Sequence, residues 1–376
     1  MKKIIIGSLA CVALLYATNG DNLIGLGAKS RAMGGVGIAT YFGAENTLSN
    51  PALISNAKGG EVSFGATYFA PTVKAYGIKS SADKNVIPEV SISEKINDSF
   101  SYGIGMFGSA GMGVDYRDSS DVRVMKARTN LLLMKFAPAI AYRYDSFSFG
   151  FAPVVQYGSL DISYNSTGRG SSDDFGIGFE TGIAYTYKNN LRVGLVYKSP
   201  IDMDYDHQLK SAASDFGIGG YIKSDHLEQP AEYGVGLSYS FLCCDFSFDY
   251  KNIKWSDAKG YGDFGWKDQD VYAMGVKYEK KDSWYAIGFN YAKNPITKDY
   301  GGAFKTVFNT LNYLMFPATS EKHYSIGAGT KITKHLSIDF DIVYSPKKSI
   351  TVDTVTGSME VEHSETSMAF SMRYSF

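Results

Sequence analysis

Cysteine is nearly absent from this chain, with three in 376 residues. Cys11 lies in an apolar N-terminal run, and Cys243 and Cys244 are adjacent. Adjacent side chains diverge too far to pair readily, and the spacing is not that of a metal site, so neither a disulfide framework nor a structural metal is expected. Ser8 stands three residues before Cys11, where a lipid-attachment signal wants a Leu-like residue. Proline is sparse at ten residues. Beyond the N-terminus no stretch supplies the roughly 20 apolar residues that a membrane helix needs. An excess of either charge is also missing: 37 Lys and Arg face 38 Asp and Glu, which argues against a nucleic-acid or polyanion surface. The five histidines (His207, His226, His323, His335 and His363) form no motif. Asp173-Asp174 and Asp115, Asp118 and Asp121 lack calcium-loop spacing, and no Ser-centred or His-Glu motif occurs. Neither an enzyme nor a cofactor is expected.

What the chain does hold is Gly (40), Tyr (28) and Phe (23), the aromatics suiting pleated surfaces that are apolar on one side. Lys2 and Lys3 followed by apolar residues 4–16 read as an export leader cleaved after Ala17, so that the mature chain begins at Thr18. From residue 60 to the end, apolar and small or polar residues alternate. Tyr233, Val235, Leu237, Tyr239 and Phe241 oppose Gly234, Gly236, Ser238 and Ser240; Met368, Phe370, Met372, Tyr374 and Phe376 oppose Ser371, Arg373 and Ser375. This period of two predicts fourteen strands: 60–70, 86–96, 99–109, 129–144, 147–165, 174–188, 191–206, 230–241, 244–256, 268–279, 283–294, 322–332, 335–346 and 360–376.

The connections decide the architecture. Tight turns such as Asn97-Asp98, Asp145-Ser146 and Asn189-Asn190 alternate with long connections at 71–85, 110–128, 166–173, 207–229, 257–267, 295–321 and 347–359. An exported, even-stranded meander with short turns at one end and long loops at the other predicts an all-β, 14-stranded antiparallel transmembrane β-barrel with its apolar faces toward lipid. A soluble sandwich would have shorter strands and Greek-key returns. Residues 18–58 do not alternate, and a barrel of this size leaves space that its own side chains do not fill. The expected organisation is a leader (1–17), an N-terminal plug (18–58) and a barrel (59–376).

The plug segment 25–55 resembles the N-terminal hatch of the long-chain fatty acid outer-membrane transporters, the family that includes toluene and xylene uptake channels. Ser30-Arg31-Ala32-Met33-Gly34-Gly35, residues 39–46 and Asn50-Pro51-Ala52 carry the likeness, with echoes at 230–241, 247–257, 270–296 and Tyr374-Ser375-Phe376. The resemblance implies a Gram-negative outer-membrane protein that passively moves hydrophobic small molecules. They would be captured in an apolar pocket and released sideways through a gap at a kinked third strand. Its partners would be the hydrophobic ligand, membrane lipid and lipopolysaccharide, and the barrel assembly machinery, with the protein itself a monomer. A non-specific porin or a surface adhesion barrel is the alternative.

Four sets of residues follow as candidates. Asn50, Pro51 and Ala52 are the hatch motif, as a static anchor or as part of a gate. Phe107, Gly108, Ser109, Ala110 and Gly111 lie in a glycine-interrupted strand, and glycines inside strands mark bulges or bends; they are the candidate lateral opening, or else ordinary lumen glycines. In the loop at 301–320, Phe304, Val307, Phe308, Leu311, Leu314 and Met315 recur at helical spacing, closed by Pro317. They line a ligand groove or pack on neighbouring loops such as 211–222. Arg128, Lys210 and Lys305, with Arg123 and Lys126, are candidates by location to meet a fatty-acid carboxylate, or else they face lipopolysaccharide or water.

Overall fold

The alternation closes into a cylinder. The structure is a computed structural model that describes residues 18–165 and 167–376; the leader expected at 1–17 lies outside the described residues. Fourteen antiparallel strands form the wall: β1 (Gly60–Phe69), β2 (Asn85–Lys95), β3 (Phe100–Asp115), β4 (Arg128–Tyr144), β5 (Phe147–Ser163), β6 (Ser171–Tyr187), β7 (Leu191–Lys198), β8 (Glu232–Phe241), β9 (Cys244–Ile253), β10 (Gln269–Lys280), β11 (Ser283–Ala292), β12 (Lys322–Lys331), β13 (Leu336–Thr354) and β14 (Gly357–Ser375). Each pairs with its sequence neighbour, and β14 closes on β1 from Ser367↔Phe69 to Ser375↔Glu61. Closure removes both sheet edges, so the wall can sit in hydrocarbon with its backbone groups bonded strand to strand. The aromatic and aliphatic phase faces out: Tyr233, Val235, Leu237, Tyr239 and Phe241 are exposed, while Ser238 on the opposite phase is buried.

The boundaries depart furthest from the alternation reading at three places. The strand expected at 191–206 stops at Lys198, because Pro200 two residues on has no N–H to donate to a ladder. The loop expected at 347–359 is the tip of a longer hairpin: pairing resumes after an irregular step between Ser345 and Lys348 and runs to Thr354↔Gly357. Val352, Met359 and Val361 are buried there, so the hairpin folds its apolar phase over the barrel mouth. The third strand runs to Asp115, past its expected end at residue 109.

The non-alternating segment lies inside the cylinder. It holds α1 (Gly27–Ala32) and two short 3-10 turns, Ala44–Leu48 and Pro51–Asn56. Side chains of the wall bind its backbone. The Asp249 carboxylate accepts from the Gly37 and Ile38 N–H groups at 2.7 and 3.0 Å, Ser325 Oγ accepts from Gly34 N–H at 3.0 Å, and Glu89 accepts from Gly27 N–H at 3.0 Å. Irregular backbone at membrane depth is tolerated when its polar groups are met in this way. In the hatch motif, Asn50 Nδ2 donates to Ile38 O at 2.7 Å and Oδ1 accepts from Ala52 N–H at 3.1 Å, with Pro51 opening the helical turn. The wall opposite is glycine because nothing larger fits: a Cβ on Gly182 would stand 1.9 Å from Asn50 Oδ1, and one on Gly150 would stand 2.1 Å from Ala52 N.

Charge fastens the other side. Arg373 on β14 reaches hatch residue Glu45 at 2.8 Å, Glu61 of β1 at 3.3 Å and Asp339 of β13 at 3.5 Å; hatch residue Arg31 faces Asp341 at 3.4 Å. All but Glu61 are almost fully buried. Breaking such a cluster on one side strands the partner charges. Arg373→Met is therefore expected to destabilise the plugged barrel by about 3–5 kcal/mol, measured as a lower midpoint of heat-dependent mobility loss in electrophoresis; an unchanged midpoint would show the cluster to be dispensable. Asn50→Ala should cost about 1–3 kcal/mol by leaving Ile38 O and Ala52 N–H without partners, read as faster hydrogen exchange over residues 38–56.

Candidate transport site

Between β2 and β3 the wall is interrupted by its own hydrogen-bond arithmetic. The β2–β3 ladder ends at Glu89↔Phe107, leaving Asn85–Pro88 of β2 unpaired with the continuation of β3. On its other edge β3 stays paired with β4, but Gly108↔Met134 is followed by Ala110↔Leu133, so Ser109 is an extra residue. This bulge bends the strand and reverses its phase. Before it, Gly103, Gly105 and Phe107 are buried and face the lumen; after it, Ala110, Val114 and Tyr116 are the buried positions. A Cβ on Gly108 would come within 2.3 Å of the Ile87 side chain across the gap.

An N-terminal arm covers this place from inside. Asn22 pairs with Ala110, and Gly111 N–H donates to Asp21 O at 3.0 Å. Between arm and wall lies an apolar cavity of about 160 Å³, lined among others by Leu23, Ile87, Pro88, Met112, Leu131 and Leu133. Apolar cavities of about 150 Å³ take up benzene, so one ring or a short acyl segment fits without rearrangement.

Leu23 also borders a second, polar cavity of about 70 Å³ on the lumen side, where Ser109, Lys135, Glu180, Lys198, Glu232 and Lys251 meet. Lys198 is held by Glu232 at 3.3 Å and Glu180 at 4.0 Å. Among the described residues neither Lys135 nor Lys251 has a carboxylate within 4.0 Å, and Ser109 Oγ is buried without a hydrogen-bond partner. An apolar chamber thus adjoins two uncommitted ammonium groups.

The structure brings Gly108, Ala110 and Gly111 together on the apolar cavity and Ser109 on the polar one, with Phe107 buried at the end of the ladder. It does not bring the loop residues to either. The segment at 301–320 is not one α-helix but a 3-10 turn, α2 (Lys305–Asn309) and a π-helical turn Thr310–Met315. Val307, Phe308, Leu311, Leu314 and Met315 are buried, and Phe304 is exposed. Phe308 packs edge-on against Tyr221 at 5.9 Å and Tyr300 at 5.0 Å, so 301–320 and 211–222 meet as a lid core. Leu311 alone of the six borders a crevice, of about 20 Å³, less than the ~30 Å³ share of one water.

The expected carboxylate partners are also elsewhere. Arg128 is committed to Asp161 and faces Asp115 at 4.0 Å. Lys210 and Lys305 are exposed on the loops, whereas Lys135 lines the polar cavity. Its signal was parity. In 131–139, Leu131, Leu133, Ala137 and Ala139 form the buried phase, and Lys135 is the charged residue on that inward phase.

The profile of the family described as "Outer membrane protein transport protein (OMPP1/FadL/TodX)" matches residues 17–167 and 166–376. The chain belongs to this family. A long-chain fatty acid transport protein of Escherichia coli O6:H1 is 25% identical over 72% of this chain and 76% of its own. Outer membrane protein P1 of Haemophilus influenzae is 23% identical over 91% and 90%. Among solved structures, the Pseudomonas putida toluene transporter TodX superposes with TM-score 0.72 at 19% identity, over 94% of this chain and 99% of that one; a Pseudomonas aeruginosa FadL homologue gives 0.72 at 14%, over 97% and 100%. These structures share the barrel fold. The protein is accordingly an outer-membrane transport protein of the Gram-negative envelope, and its relatives are transport proteins rather than enzymes.

Asp21 gives the arm a pH dependence. Burial raises its carboxyl to about 6, against the opposing hydrogen bonds from Tyr261 and Gln229 and the attraction of Lys135; Tyr205 also stands near. A raised carboxyl binds its proton more tightly in the folded state, so its contribution is full below about pH 4 and lost as pH rises through about 6. Hydrogen-exchange protection of residues 19–23 should fall across that window, and Asp21→Asn should flatten the profile. An unchanged slope in the variant would assign the titration elsewhere.

Proposed function

We propose that this protein carries hydrophobic small molecules, long-chain fatty acids or hydrocarbons, passively across the outer membrane, and that they leave sideways between β2 and β3. The observation that supports this most directly is the apolar cavity of about 160 Å³ at the place where the β2–β3 ladder stops. An apolar solute gains ~25 cal/mol for each Å² it buries, and a route from lumen to bilayer through an unladdered wall never returns it to water. Where the solute carries a carboxylate, Lys135 and Ser109 are the groups that receive it, at the far side of Leu23. The lid core of Phe308, Tyr221 and Tyr300 is where the solute first meets the protein, and the hatch motif acts as an anchor for a plug that stays in place. The barrel closes with its own strands and works as a monomer among outer-membrane lipid and lipopolysaccharide.

Deleting Ser109 removes the extra residue and restores one phase along β3. Uptake of a labelled fatty acid or monoaromatic hydrocarbon into cells or proteoliposomes is expected to drop at least about tenfold, equivalent to 1.4 kcal/mol, with the barrel still folded by its heat-modifiable mobility. Gly108→Val, which drives a side chain into Ile87, should do the same. Undiminished uptake in both folded variants would reject the sideways exit. Sugar flux through the wild-type protein comparable to that of an open porin would reject the reading as a whole.

Lys135→Met separates substrates. It should weaken uptake of a fatty acid at least about tenfold while leaving an uncharged hydrocarbon unaffected, since a hydrogen bond to a charged group is worth about 1.5–3 kcal/mol. Equal effects on both would remove Lys135 from head-group binding.

A further inference from the structure

Glu365 presents an unbalanced account. Its carboxylate is 1% exposed, inside the barrel, and a carboxylate so buried requires a positive partner or a full set of donors. Its neighbours are His323 at 3.5 Å, His363 at 3.2 Å and the Thr18 hydroxyl, which donates to Oε1 at 2.6 Å. Oε2 receives no hydrogen bond. The sole further polar group on the cluster from the arm is Thr18 N, which donates to His323 Nε2 at 3.2 Å. Thr18 N–H thus occupies Nε2 of His323, while His323 Nδ1 is buried without a hydrogen-bond partner. His363 shares its Nδ1 side with Thr319 Oγ1 at 3.3 Å.

An amide nitrogen at Thr18 has one hydrogen, already used on His323. An α-ammonium has three, enough to serve His323 Nε2 and the open Glu365 Oε2, and it brings a full charge. The arm is shaped to deliver it. Thr18 pairs with Leu23, and the turn between them places Gly20 at φ 65°, against the Trp255 ring. A Cβ at Gly20 would lie 2.6 Å from that ring, so the turn is tight and its register fixed. Thr18 and Asn19 are both buried.

We propose that Glu365, with His323 and His363, forms a seat for the α-amino group of the mature chain, and that this group is the ammonium of Thr18. Hydrolysis of the Ala17–Thr18 amide by the leader peptidase consumes one water, leaves a carboxylate on Ala17 and creates the Thr18 ammonium. The new charge then neutralises Glu365 and pins the arm that covers the apolar cavity, which Thr18 itself lines. Removal of the leader thereby completes the interior of the barrel.

The test uses the full chain purified from outer membranes and reads neither uptake nor ligand. Its N-terminal peptide, identified by mass spectrometry, is expected to begin at Thr18 with a free amine. Labelling of that amine by an amine-reactive ester should be at least about tenfold slower in the folded barrel than after unfolding in denaturant. Glu365→Gln, which keeps the shape and removes the charge, should bring the folded rate close to the unfolded one. A mature terminus at another residue, a blocked amine, or wild-type labelling as fast folded as unfolded each overturns the proposal. So does unchanged protection in the Glu365→Gln barrel. If that variant does not assemble, the terminus and the wild-type rates decide alone.

Discussion

The constraint on which the structure depends is that a peptide group in hydrocarbon must find its hydrogen-bond partner within the protein. It makes the chain a closed cylinder, and it makes any opening in that cylinder costly. Between β2 and β3 the opening is tolerable because the arm takes over part of the missing strand: Asp21 O receives Gly111 N–H, and Asn22 stands in register with Ala110. The arm does for the gap what a paired neighbour does for the rest of the wall. Its short reach, a single bridge and one bond, leaves most of the gap lined by side chains, and those side chains are apolar.

The same constraint accounts for the glycines. A plug of irregular backbone offers donors and acceptors at many angles, and the wall meets them with short polar side chains or with nothing at all. Ser325, Asn290 and Asp249 bond the backbone of 34–38, while Gly275 and Gly288 leave room for Met33 and Gly34 to lie against the strands. A wall of larger residues would push the plug from these partners. The inward phase therefore reads small or polar, and the outward phase, solvated by lipid tails, carries the aromatic mass.

That division explains which parts of the molecule were legible in the sequence. Strand alternation, the tight turns and the plug motif each express a local rule, and they led to the barrel, its strand number and the interior segment. The bulge at Ser109 was signalled by interrupting glycines because a bend needs them locally. Cations for a head group were sought among loop residues such as Lys210 and Lys305, whereas Lys135, which lines the polar cavity, sits in mid-strand. Its meaning depends on strand phase and on what lies across the lumen, and neither is a property of its neighbours in sequence. In the loop at 301–320, apolar residues at helical spacing report that a surface is covered, and Tyr221, Phe264 and Tyr300 pack on Phe308 there.

The interior thus contains two kinds of attachment with different consequences. On the side of β13, β14 and β1, buried ion pairs through Arg373 and Arg31 hold the hatch; removing one member strands the others, so that side is held all or none. At the gap, the arm is held by few bonds, by a carboxyl at Asp21 that resists ionisation, and by the Thr18 contacts. Segments that yield first are those with the fewest buried contacts and the most conditional hydrogen bonds. A solute entering the apolar cavity would therefore displace Leu23 and its neighbours before it disturbed the hatch. The hatch is thus seated by buried ion pairs on one side of the barrel, while the arm beside the unladdered stretch is held by few bonds.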